Sequence, residues 1–121
     1  MTIDAITPSG PFLRLEGITK TYGQSRALDG VSLAISKGEM IAVIGRSGAG
    51  KSTLLTVINR LIDADSGTMT CEGRDVLGLR GRDLRAWRRR CAMVFQRFNL
   101  VARLPVLTNV MTGRLALRPL I

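Results

Sequence analysis

Residues 45–52 read Gly45, Arg46, Ser47, Gly48, Ala49, Gly50, Lys51 and Ser52, and Thr53 comes next. This spacing fits G-x-x-x-x-G-K-[ST], a loop whose backbone N–H groups wrap phosphate oxygens. Each residue type has a chemical reason to be there. Glycines let the chain turn tightly and line up successive N–H groups around an anion. A helix opened by such a loop adds its uncompensated amides and the positive end of its dipole. Lys51 is placed to reach β- and γ-phosphates, the Ser52 hydroxyl to hold Mg²⁺, and Thr53 to meet the α-phosphate. The alternative is a glycine-rich turn with an incidental lysine. The flanking pattern argues against it.

Such a loop must leave a buried strand and enter a helix. Residues 40–44 are a continuous apolar run that suits a strand buried on both faces. Residues 51–62 place Leu54, Leu55, Ile58, Leu61 and Ile62 at helical spacing. Upstream, residues 12–22 alternate apolar and polar side chains, and residues 27–35 put Val31, Leu33 and Ile35 on one face, so both read as strands. Turns are expected at 36–39 and 63–67, and a short strand over 68–71. Residues 82–90 form a polar helix, 91–95 another short apolar strand, and 106–117 a helix broken near Gly113. The sum is an α/β pattern with an antiparallel portion at the front.

The 121 residues are enough for one domain, and 45% apolar content is enough for a core built mainly of aliphatic side chains. No run of eighteen apolar residues exists, and residues 1–10 have neither the basic start nor the apolar stretch of a signal peptide. The default compartment is therefore the cytosol. Cys71 and Cys91 lie far apart in a chain without histidine, so they read as small buried residues rather than metal ligands. The net charge is +9, and all nine acids lie at or before Asp83. Eight arginines come after it with no acid. This asymmetry fits a surface for nucleic acid or anionic membrane, or acidic partners in chain outside this sequence.

With these motifs in place, the segment LRLEGITKTYGQSRALDGVSLAISKGEMIAVIGRSGAGKSTLL resembles the opening of the nucleotide-binding subunits of ABC transporters. The resemblance implies a P-loop NTPase fold of the ABC type. It also implies that Tyr22 stacks on adenine, where the bland reading is a strand residue. MVFQRFNL resembles the Q-loop, so Gln96 would approach Mg²⁺ and the attacking water, on a loop that meets the membrane subunit. FNLVARLPVLTNVMTGRL is similar to the segment after the Q-loop in phosphonate importer ATPases, with departures at Ala102 and Pro105. No LSGGQ-type signature, apolar strand ending in Asp-Glu, or switch histidine is present. The expectation is an N-terminal tail over 1–11 and a partial nucleotide-binding domain over 12–121, truncated before the signature. In that fold the strand before the loop is flanked by parallel strands from the second half, so residues 40–44 would have open edges and an uncovered apolar face.

The function implied by the resemblance is an ATP-binding subunit, with ATP and Mg²⁺ as cofactors, energising phosphonate uptake. Its partners would be transmembrane permease subunits, a second ATP-binding subunit in a homodimer and, indirectly, a periplasmic substrate-binding protein. It would sit peripherally on the cytoplasmic face of a bacterial inner membrane. A different class is a catalytically inactive nucleotide-binding fragment or pseudogene product. A third is a basic nucleic-acid-binding module using Arg85, Arg88, Arg89 and Arg90. Against the third, an arginine run is also what a solvated helix face looks like, and no specific nucleic acid is expected.

Overall fold

Leu13, Leu15 and Ile18 do not keep one alternation, yet all three are buried. The reason is Gly17, whose φ of +61° shifts the register between Leu15 and Ile18 and returns the apolar face to the core. These residues form β1 (Leu13–Tyr22), which turns tightly into β2 (Ser25–Ile35). The computed structural model describes residues 10–97 and 99–114. After β2 come α1 (Lys51–Ile58), β3 (Ser66–Cys71), the short β4 (Arg74–Asp75), α2 (Gly81–Arg90) and α3 (Val106–Thr112).

The four strands make one antiparallel sheet in the order β2-β1-β3-β4. The antiparallel front read from the sequence is therefore present. A Cβ at Gly67 would lie 2.6 Å from the Gly17 carbonyl oxygen, so β3 comes this close to β1 only with glycine there. Leu15, Ile18, Val57, Met69 and Val76 are the most deeply buried large side chains, and they tie α1 to one face of the sheet. Trp87 of α2 joins the same core.

Two expected strands are absent. Residues 40–44 and 91–95 have no strand pairing, and Met40, Ile44 and Val94 are 97%, 92% and 89% exposed. A run that is apolar on both faces gains nothing as a strand until neighbours cover its faces and pair with its edges. No described strand does either. The unpaired edges and uncovered apolar face expected for residues 40–44 are thus features of the structure, whereas the strand itself is not. The helix expected over 51–62 ends at Ile58, because Arg60 takes a left-handed φ of +62° and turns the chain away. The strand expected from residue 68 begins at Ser66 and takes in the end of the expected turn. α3 stops before Gly113, and residues 115–117 of the expected helix lie outside the described residues.

Candidate functional site

The glycine-rich loop is seated on β2. Gly50 has φ +88°, and a Cβ there would collide with the Ala27 carbonyl oxygen. Only glycine allows both the conformation and the approach. The loop closes with the Ala49 N–H donating to the Arg46 carbonyl at 3.1 Å, and α1 starts with the Leu54 N–H donating to Gly50 at 2.8 Å. No side chain caps α1 and no acid lies in its first turn. Its first N–H groups therefore face outward with the positive end of the dipole, as an anion requires.

Lys51 folds back over this loop. Its Nζ donates to the Gly45 carbonyl at 2.6 Å and the Arg46 carbonyl at 2.7 Å. An ammonium has three donors, so one remains for a ligand while two brace the loop. Ser52 is exposed at the start of the helix, and Thr53 is half-buried beside it. Among the described residues, neither hydroxyl is engaged by another side chain. Arg46, Ser47, Gly48 and Ala49 are exposed around the loop, except that Ala49 packs near the Cβ position of Gly45.

Tyr22 ends β1 with half its surface exposed, and the Lys20 ammonium lies 5.6 Å from its ring centroid. Lys20 in turn donates to Asp65 at 3.0 Å, and the Thr21 N–H donates to the other Asp65 oxygen at 2.7 Å. The Lys20 hydrogen bond, then that of Thr21, holds the Asp65 carboxyl below its ordinary value of 3.8. Sequence reasoning read Asp65 only as a turn residue; its pairing with Lys20 is long-range and leaves no local signal. Gln96 stands in an exposed turn and makes no hydrogen bond to the loop among the described residues. The loop runs directly into α1, so its residues and the start of that helix lie together. Cys71 is buried and Cys91 half-buried, both are free, and burial raises both thiol pKa values.

The described residues fit Mg²⁺ with a nucleotide through chemistry alone. A hydroxyl at the helix start lies beside an anion cradle, and hard oxygen donors suit that cation.

Comparison with known proteins agrees with this geometry. A family model described as ABC transporter matches residues 28–118. The phosphonates import ATP-binding protein PhnC of Rhizobium johnstonii is 58% identical over 101 residues, 84% of this chain and 36% of that protein. The protein PhnC 2 of Rhodopseudomonas palustris is 57% identical over 107 residues, 88% of this chain and 40% of its own length. A dimeric ATP-binding cassette solved in a post-hydrolysis state with ADP and Pi is 35% identical. It superposes with a TM-score of 0.72, covering 84% of this chain and 46% of that one. The chain thus spans about two fifths of the length of the curated relatives it matches. On the family match, the loop and the shared fold together, this chain belongs to the ABC transporter family.

Proposed function

We propose that this chain is the phosphate-binding part of an ATP-binding subunit that energises an ABC-type importer of phosphonates. The observation that carries the reading is the loop geometry. Gly50 is seated on the Ala27 carbonyl, α1 starts uncapped, and Lys51 bridges Gly45 and Arg46 with one donor to spare. The names of the relatives supply the substrate class. In this reading the N–H groups of residues 46–52 surround the β-phosphate, Lys51 faces the β- and γ-phosphates, and Thr53 meets the α-phosphate. Tyr22 offers a ring face to the base. Ser52 and Gln96 would hold Mg²⁺, which would neutralise charge developing between the β- and γ-phosphates. Permease subunits and a second copy would complete the assembly at the inner membrane face.

The test is calorimetry with Mg-ATP. Binding is expected for the chain and is expected to be lost in Lys51→Ala, which removes the charge facing the phosphates and the brace between two loop carbonyls. Equal affinity in the two proteins would overturn the assignment. For the substrate class, growth on a phosphonate as sole phosphorus source should fail when codon 51 is changed to alanine in the parent genome.

A second reading is nucleotide binding without turnover by this chain alone. Positioning accounts for part of phosphoryl transfer, and an attacking water must also lose a proton. No acid in the sequence comes after a four-residue apolar run, and Gln96 can orient a water but cannot deprotonate it. Phosphate release no faster than in Lys51→Ala is expected. A rate well above that control would reveal a base elsewhere in the chain.

A further inference from the structure

The end of α1 opposite the phosphate loop is held by side chains of α2. Carbonyls in the last turn of a helix have no intrahelical partner and must find one elsewhere. Here the indole N–H of Trp87 donates to the Ile58 carbonyl at 2.9 Å. The guanidinium of Arg88 donates to the Arg60 carbonyl, at 3.2 Å from Nε and closer from Nη2. In the other direction, the Asn59 side-chain amide donates to the carbonyl of Cys91, where the chain leaves α2. Trp87 and Asn59 are buried, at 8% and 5% exposure. Arg60 locks the corner by donating from Nη1 to the Val76 and Leu77 carbonyls at 2.6 and 2.7 Å.

Beyond Cys91 the chain loses this support. Residues 92–96, ending at Gln96, make no backbone hydrogen bond among the described residues. Their start is held by the last turn of α2 and by the Asn59 hydrogen bond, and Met93 and Phe95 are half-buried. The phosphate loop lies at the other end of α1, a rigid span of roughly 12 Å at 1.5 Å per residue. Three side chains thus connect the end of α1 to α2 and to the start of the Gln96 segment.

We propose that Asn59, Trp87 and Arg88 are positioning residues that join α1 to the segment carrying Gln96, so that an anion seated in the phosphate loop moves that segment. The inference rests on the nucleotide reading above, and its test separates the two. The probe is inorganic pyrophosphate without magnesium, which can fill the loop but offers Gln96 no cation to meet directly. Backbone ¹⁵N–¹H resonances of residues 45–53 report filling of the loop, and those of residues 92–96 report transmission. The single tryptophan of the chain gives one indole resonance at the joint.

In the wild-type chain all three sets should shift with pyrophosphate. In Trp87→Phe, which keeps the apolar bulk and loses the N–H, residues 45–53 should shift with affinity within about threefold of wild type, while the displacement at 92–96 falls by more than half. Asn59→Leu should behave the same way. Arg88→Gln, at an exposed position, carries the same comparison if either buried variant fails to fold. Undiminished displacement at 92–96 in these variants, with the loop still responding, overturns the joint. No response at residues 45–53 in the wild type overturns the nucleotide reading and the joint with it.

Discussion

Tyr22 shows how far a single residue can be read. Its type and place, at the end of a strand ahead of the loop, fit both an adenine platform and an ordinary strand residue. The structure leaves the ring half exposed, with the Lys20 ammonium 5.6 Å from its centroid. If a base stacks there, Tyr22→Ala should weaken ATP by about 1–3 kcal/mol, the range found for base–aromatic stacking. Inorganic triphosphate lacks the base, and its binding should be unchanged. Parallel titrations of the two ligands decide it, since an equal loss for both would make Tyr22 a strand residue only. The loop residues were legible because their spacing is the chemistry. The fold of Lys51 onto Gly45 and Arg46 was not legible, because nothing in the spacing says which carbonyls an ammonium meets. Trp87 was missed for a related reason. It lies in a helix of mostly polar side chains, and only the tertiary position of α1 reveals that its N–H has a carbonyl to meet.

At the scale of elements, the antiparallel sheet was readable because alternation and turns are local signals. Residues 40–44 suit a buried strand and residues 91–95 a short apolar strand by the same logic, but strand formation by an apolar run depends on neighbours that the run does not encode. The join between β1 and the turn after α1 has its own test. Asp65 grips Lys20 and the Thr21 N–H, and its folded pKa lies below 3.8. A depressed carboxylate stabilises the fold above its unfolded pKa, and that contribution disappears as pH falls through the folded value. Asp63, lowered first by its hydrogen bond from Arg60, adds in the same direction. Wild type should therefore exceed Asp65→Asn in urea stability at pH 7, and the gap should close below about pH 3.8. A gap of the same size at pH 3 would show that Asp65 acts through packing rather than charge.

At the scale of the whole molecule, the +9 charge is spread unevenly, and α2 carries arginines into its last turn with Asp83 at its start. Arg88 reaches the Arg60 carbonyl and Arg90 pairs with Glu72 at 3.1 Å, so part of the arginine run holds the fold together. Arg82, Arg85 and Arg89 are exposed and make no ion pair among the described residues. Such a surface attracts any polyanion through counterion release, without reading bases. Duplex DNA should bind equally whatever its sequence, and affinity should fall with salt by a log–log slope of about 0.9 per phosphate contacted. Sequence-selective binding that survives physiological salt would restore the nucleic-acid reading. Among the described residues no helix is long and apolar enough to cross a membrane.

The exposed run at 40–44 also bears on the order in which the protein forms on the ribosome. Synthesis delivers residues one at a time, and antiparallel pairings between nearby segments close early, while distant ones wait. β1 pairs with both β2 and β3, and Leu15, Ile18 and Met69 are buried together. That unit can consolidate as soon as Cys71 clears the exit tunnel. Met40 to Ile44 is then already outside, apolar and unpaired between two finished pieces of structure. During elongation it is the stretch most open to chaperone capture and to association between neighbouring nascent chains.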